Sequence, residues 1–196
     1  MRLLASASVP AQKNLIPVSV KTRIGSIKPD ESWWRFLAEQ DLPAVAMHGR
    51  TFKQLYKGEA DWGVLLKAAE IIRQNGTRFL GNGDIQQFSI FNDQFSSRMD
   101  GVLIGRAALG NPWALRKDDY TPELREKLQV AIEHAKKYEE VFNTTYGEKG
   151  FQFFPMRKHL AGYIRGFEGS TGLRKKLMTA ENAEQVESLI NEFLPV

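Results

Sequence analysis

Two glycine-rich turns contain the residues of this sequence that could bind an anion. Each turn follows a run of four mainly apolar residues, and the turns consist of Asn82, Gly83 and Asp84 and of Gly105 and Arg106. A buried strand that ends at such a turn and leads into a helix leaves backbone N–H groups free for an anion, and Arg106 adds a positive charge. Two such turns after successive strands are typical of a phosphate site in an α/β barrel, and tight turns without a ligand are the alternative.

Polar side chains also stand at the ends of two earlier predicted strands. Lys21 and Arg23 are two residues apart, so both side chains point to one face of their strand. His48 and Arg50 end the next apolar run. Because ligands bind at the carboxyl ends of parallel strands, these residues are candidates for a site, and a hydrogen-bonded structural role is the alternative for His48.

The apolar runs predict strands that begin near residues 17, 43, 78 and 101, each followed by a helix. Four successive β-α units form a parallel sheet with right-handed crossovers. A closed barrel takes eight strands, so the sheet is either an open one or half of a barrel.

Helix signals are clear between these strands. Asp30 and Ser32 are alternative caps for a first helix, with Trp33, Phe36 and Leu37 on its buried face. Asp61 caps a second helix that runs to about residue 74. Another helix is predicted around 86–95, and residues 1–15 are weakly amphipathic.

No strand signal follows residue 113, and the last third of the chain reads as a small helical bundle. Pro122 opens a long helix to Tyr146, with an apolar side that begins at Leu124, and Pro155 opens the next helix. Thr179 is the predicted cap of the final helix. The predicted domains are therefore 1–115 and 116–196.

The composition is ordinary for a globular protein, with 42% hydrophobic and 26% charged residues. There is no cysteine, which excludes disulfides, thiolate metal sites and a thiol acid or nucleophile within this sequence. No cluster of residues has metal-ligand spacing. Without a long apolar run or a signal-peptide pattern, the expectation is a cytoplasmic protein with no membrane contact.

Charge is distributed unevenly near the C-terminus. Residues 151–176 contain six basic residues and one acidic residue, whereas 177–196 contain four acidic residues and no basic one. This pattern indicates a one-sided positive surface for a nucleic acid, and a solvated helix face is the alternative. The candidate RNA-binding residues are Arg157, Lys158, Arg165, Arg174 and Lys175.

Four segments together resemble the tRNA-dihydrouridine synthase family. They are VSVKTRIG at 18–25, MHGRTFKQLYKGEADW at 47–62, GNGDI at 81–85 and DGVLIGRAALGNPW at 100–113. MRKHLAGYIRGF at 156–167 is similar to the family's C-terminal helical domain.

The resemblance implies an FMN-binding α/β barrel and a helical tRNA-binding domain. Family members take a hydride from NADPH onto FMN and pass it to the C5=C6 bond of a uridine in tRNA. It further implies that Lys21 lies beside the flavin pyrimidine ring and His48 near the flavin and the substrate. Arg23, Tyr56 and Arg50 are implied substrate contacts, with Tyr56 stacking on a flipped-out uracil. The two glycine-rich turns match the family's phosphate-binding turns.

The sequence also departs from the family pattern. The family's first four strands and its proton-donating cysteine have no counterpart here. We therefore expect the second half of a TIM-type (β/α)8 barrel followed by the helical bundle, from an N-terminally truncated synthase. The alternatives are an inactive tRNA-binding fragment and another FMN barrel, such as a dihydroorotate-dehydrogenase-like protein. A first half-barrel or a second copy of the chain is a candidate partner.

Overall fold

The computed structural model describes residues 16–89, 91, 95–118, 120–147 and 152–194. The weakly amphipathic segment 1–15 and part of the helix predicted around 86–95 lie outside the described residues. The chain divides into two compact units, Met1–Gly105 and Arg106–Val196, here called the sheet unit and the helical unit. The division falls ten residues before the predicted boundary at 115.

The sheet unit contains a parallel four-stranded sheet. Its strands are β1 (Val20–Arg23), β2 (Ala44–His48), β3 (Arg78–Asn82) and β4 (Gly101–Leu103), and they lie in chain order across the sheet. Every neighbouring pair of strands is parallel. The predicted α/β class with a parallel sheet is thus confirmed, and all four predicted strands are present.

Helix α1 (Glu31–Ala38) begins where the side chain of Asp30 accepts a hydrogen bond from the Trp33 N–H. Asp30 is therefore the cap, and Ser32 donates its hydroxyl to it. The predicted buried face was partly wrong, because Phe36 is 41% exposed and Trp34 is buried instead. The Trp34 indole N–H donates to the Ile24 carbonyl at 3.0 Å, and this bond turns the helix so that Trp34 faces inward.

Helix α2 (Trp62–Ile72) is capped as predicted, since the Asp61 carboxylate accepts the Val64 N–H at 2.8 Å. It ends in the short 3₁₀ helix Arg73–Asn75 and at Gly76, whose φ of +84° suits glycine. Its buried residues join one core with β2 and β3, which includes Leu65, Ala68, Ala69, Ile72, Val45, Met47 and Phe79. Helices α1 and α2 therefore cover one face of the sheet. The side chains at every second position along each strand point to the opposite face.

The helical unit begins with two short 3₁₀ turns, Arg106–Ala108 and Pro112–Leu115. Four helices follow: α3 (Leu124–Tyr146), α4 (Phe154–Tyr163), α5 (Ser170–Leu177) and α6 (Ala183–Phe193). The predicted cap of the last helix was wrong. Asn182 caps α6 by accepting the Gln185 N–H at 2.8 Å, and Thr179 follows α5, a helix that the sequence did not predict.

The core of the helical unit is aliphatic, with Leu128, Ile132, Leu160 and Ile190 at most 1% exposed. Leu124 is 37% exposed, so the apolar side of α3 begins at Leu128 rather than at the predicted position. A Cβ built on Gly110 would lie 2.1 Å from the backbone carbon of Gly162 in α4. This close approach explains why the segment after Gly105 groups with the helices.

Among the described residues, no helix is long and apolar enough to cross a membrane.

Candidate functional site

Polar side chains form a row across the carboxyl ends of the strands. Arg23 is in register with His48, and His48 with Asn82. Residues in register on a parallel sheet share a face, and this face is opposite to the one that the helices cover. Lys21 lies two residues earlier on the same face and is exposed. The structure thus brings together four of the residues predicted to form the site.

His48 is a neutral hydrogen-bonding group in this row. It is 9% exposed, and its Nδ1 accepts the Arg50 N–H at 3.2 Å. Burial is the main cause that lowers the pKa of His48 to about 4, and the charges of Arg23, Arg50 and Lys21 lower it further. Because Nδ1 is the acceptor, the proton of the neutral ring is assigned to Nε2.

Arg50, predicted to contact the substrate, binds the protein itself. Its guanidinium is 4% exposed and pairs with both oxygens of Asp84, at 2.7 and 3.0 Å. It also donates to the carbonyls of Lys57 and Gly58, with the shortest bond 2.6 Å from Nη2 to Gly58. The geometry therefore gives Arg50 a structural role: it joins the loop after β2 to the turn after β3.

The 82–84 turn (Asn82, Gly83 and Asp84) has an unusual backbone conformation. Gly83 has a φ of +128° and Asp84 a φ of +57°. A Cβ on Gly83 would lie 2.6 Å from the Cβ of Ala60, so only glycine fits there. The Ala60 N–H donates to Asp84 at 2.8 Å, and the Asn82 amide donates to the Leu103 carbonyl at 2.7 Å. Several side-chain bonds thus hold the turn in place.

The residues of this turn fit an anion in part. For the Gly83 N–H, no acceptor is found within the described part of the chain, and a Cβ on Gly105 would meet nothing within 4 Å. Gly105 therefore leaves space beside its backbone at the carboxyl edge, as a phosphate site requires, whereas Gly83 is buried. The sequence predicted that a helix opens after Gly105. In the structure, Arg106 is the first residue of the helical unit and begins a 3₁₀ helix of three residues, which is only one turn long.

Arg23 holds the 51–58 loop, which connects β2 to the segment before α2. One guanidinium nitrogen of Arg23 donates to the carbonyls of Thr51 and Leu55, both at 2.9 Å. The guanidinium carbon lies 5.9 Å from the centre of the Tyr56 ring, and Tyr56 is 64% exposed. Arg23 keeps two further nitrogens, Nε and Nη2, whose partners the described residues do not supply, so it can still bind a ligand.

Two site residues escaped the sequence argument. The Trp62 indole N–H donates to the Gly83 carbonyl at 3.1 Å, and the ring stacks on Phe95 at 4.5 Å. Thr51 is 3% exposed and exchanges hydrogen bonds with Gln54 through both backbone N–H groups. Both residues lie in the segment 47–62, which carries part of the family resemblance. That resemblance was the signal in the sequence that could have identified them.

In the helical unit, the predicted RNA-binding residues divide into two groups. Arg157 donates to the carbonyls of Ala180 and Thr179, at 2.9 and 3.4 Å, and Arg165 donates to the Leu109 carbonyl at 3.5 Å. The other three, Lys158, Arg174 and Lys175, are exposed, and the described residues offer them no acid or acceptor. We call these five residues the basic helical face.

A search of the described residues finds no group of histidines and carboxylates arranged for a metal ion.

Comparison with known proteins identifies the sequence. The family described as dihydrouridine synthase (Dus) matches residues 3–194. A probable tRNA-dihydrouridine synthase of Staphylococcus aureus (strain MRSA252) is 32% identical over 184 residues, which cover 91% of this chain and 55% of the relative. A probable tRNA-dihydrouridine synthase of Mycobacterium leprae (strain TN) is 31% identical, over 98% of this chain and 52% of the relative.

The chain thus spans about half the length of these relatives. The match nevertheless extends over nearly all of this sequence and includes the 51–58 loop, both glycine-rich turns and the basic helical face. The chain therefore belongs to the dihydrouridine synthase family.

Proposed function

We propose that this chain supplies the flavin-binding face, the substrate loop and the tRNA-binding helices of a tRNA-dihydrouridine synthase. The observation that supports this most is the row of Arg23, His48 and Asn82 at the carboxyl edge of the sheet, in a chain of this family. In this proposal the four parallel strands are the second half of a (β/α)8 barrel.

The residues of the sheet unit suit FMN. The 82–84 turn and Gly105 would bind the phosphate through backbone N–H groups. Lys21 would place a fixed cation beside the pyrimidine ring of the flavin. When bound, FMN accepts a hydride from NADPH and donates it to the C5=C6 bond of uridine.

His48 would act as a donor rather than as a proton carrier. With a pKa of about 4, its ring stays neutral at pH 7 and its Nε2–H can donate to a carbonyl of the flavin or the substrate. A neutral donor holds its partner in place without adding a charge that would compete with Lys21.

Arg23 and Tyr56 would hold the uracil. The free guanidinium nitrogens of Arg23 can donate to the uracil carbonyls, and the exposed Tyr56 ring can stack on the base. Arg50 would act indirectly, by fixing the loop that contains Tyr56 relative to the 82–84 turn.

The basic helical face would bind tRNA through its phosphates. Lys158, Arg174 and Lys175 keep their charges available, and phosphate contacts of this kind give affinity without sequence preference.

A chimera tests this function. Residues 3–194 would replace the corresponding half of the Staphylococcus aureus relative, and dihydrouridine in tRNA would be measured by mass spectrometry in a bacterial strain without synthases. We expect dihydrouridine with the chimera and a large loss with Lys21→Ala. Lys67→Ala, in α2 on the helical side, is the matched control. A folded chimera that binds tRNA and FMN but forms no dihydrouridine would contradict the proposal.

A second function is favoured by one observation, the absence of cysteine from all 196 residues. The resemblance implies a cysteine as the proton donor, and a positioned acid contributes about 10²–10⁴-fold to the rate. We infer that this chain by itself binds tRNA without reducing the uridines of the tRNA. Dihydrouridine formed by the chain alone with NADPH, FMN and unmodified tRNA would overturn this second proposal.

A further inference from the structure

The 51–58 loop displays an unusual number of large apolar side chains to solvent. Phe52 is 68% exposed, Leu55 55% and Tyr56 64%, and Ile27 on the neighbouring loop is 72% exposed. Lys53 and Lys57 are exposed between and beside them. A surface that alternates aromatic and cationic side chains matches a single-stranded nucleic acid, which has bases to stack and phosphates to neutralise.

The backbone of this loop is firmly held although its side chains are exposed. Arg23 binds the carbonyls of Thr51 and Leu55, and Arg50 binds those of Lys57 and Gly58. The N–H groups of Phe52 and Lys53 donate to the carbonyls of Gly25 and Ser26, both at 2.9 Å. The loop therefore presents its side chains without the entropic cost of ordering a mobile segment on binding.

The exposure of Phe52 is not explained by packing. Among the described residues the Phe52 ring takes part in no ring stack or cation–π contact, whereas its backbone N–H donates to the Gly25 carbonyl of the adjacent loop. An exposed aromatic ring at a fixed backbone position, next to Lys53 and four residues before Tyr56, is suited to stack on a base.

We propose that Phe52 stacks on an unpaired nucleotide of the tRNA, a second base contact beside the one predicted for Tyr56. This inference rests on the proposed function, because it requires tRNA as the ligand. Lys53 would contact a backbone phosphate of the same single-stranded segment. Phe52 thus adds affinity that depends little on salt, whereas the basic helical face adds affinity that falls as salt rises.

The test measures the equilibrium affinity of the whole chain for unmodified tRNA at several salt concentrations. We expect Phe52→Ala to weaken binding by about 5- to 150-fold, the range that loss of one stacked base produces, with an unchanged salt slope. Phe52→Trp should retain the affinity and Phe52→Leu should not, because leucine keeps the apolar contact without the π-face. Phe36→Ala, at a half-exposed ring on α1, is the matched control and should have no effect.

Three results would overturn the proposal. If Phe52→Ala binds within twofold of the wild type while neutral variants of the basic helical face bind weakly, the chain binds tRNA without Phe52. If Phe52→Ala leaves tRNA affinity unchanged but abolishes self-association in sedimentation, the loop contacts protein instead. If the wild-type chain does not bind tRNA, both this inference and the proposed function fail.

Discussion

Arg50 of the sheet unit binds protein groups, whereas three basic side chains of the helical unit bind nothing within the described residues. Arg50 is buried and binds one carboxylate and two carbonyls. Lys158, Arg174 and Lys175 are exposed and unpaired among the residues that the structure describes. Sequence alone suggested ligand contacts for both groups.

The difference shows that a buried cation must find its acceptors within the protein, whereas an exposed cation need not. A guanidinium taken out of water must satisfy its donors nearby, so it fixes the backbone that supplies the acceptors. A cation left in water keeps its donors for a phosphate. Four experiments test this contrast.

Asp84→Asn should lower the free energy of unfolding of the sheet unit by about 2–4 kcal/mol, since it leaves the buried Arg50 without its carboxylate. Unfolding would be followed by tryptophan fluorescence in a Trp113→Phe background, in which all remaining tryptophans belong to the sheet unit. Glu70→Gln breaks the exposed pair with Arg98 and should cost less than about 1 kcal/mol. Equal losses in the two variants would show that burial does not distinguish these pairs.

Neutralising Lys158, Arg174 and Lys175 together with glutamine should weaken tRNA binding on the order of 10-fold at low salt. Each lost phosphate contact should also lower the salt slope by about 0.9. Lys136 and Lys137 are paired with Glu187 and Glu140, so the double glutamine variant at these positions serves as the control. A steeper loss in the control would place the RNA on a different face.

His48 should titrate near pH 4 in histidine-resolved NMR spectra of the folded chain. Because its ordinary pKa is 6.5, the unfolded chain takes up the proton first, and stability falls as the pH drops from about 6.5 towards 4. The loss between pH 6.5 and 5 should reach about 2 kcal/mol at most. His48→Asn keeps an acceptor for the Arg50 N–H and should remove this part of the pH dependence; an ordinary pKa in the spectra would contradict the buried, neutral ring.

Arg23→Lys should loosen the 51–58 loop by about 1 kcal/mol, because the lysine side chain is one atom shorter and its ammonium does not reach the position of Nη1 beside the two carbonyls. Faster hydrogen exchange of the Phe52 and Lys53 amides would report this change. Lys21→Gln is the control, since Lys21 lies on the same strand and holds no described backbone group. Exchange that is unchanged in Arg23→Lys would mean that the loop is fixed without Arg23.

The sequence predicted local elements well where a short pattern specifies them. Asp61 caps its helix as expected, and all four strands stand where the apolar runs placed them. The sequence prediction failed where two candidate caps competed, as at Thr179 and Asn182. Both residue types cap helices, and only the packing of α5 against α6 decides which of the two does so. The roles of the site residues in cofactor and RNA binding stay predictions.

The sequence by itself determined the family, the parallel β-α order and the polar strand ends, because each depends on residues that are close together in the chain. Only the tertiary structure decided which cations remain available. Arg50 and Asp84 are 34 residues apart, and they meet because the register of β2 with β3 places both strand ends side by side. A single-residue shift in that register would leave Arg50 buried without its carboxylate, and no local pattern in the sequence encodes that register.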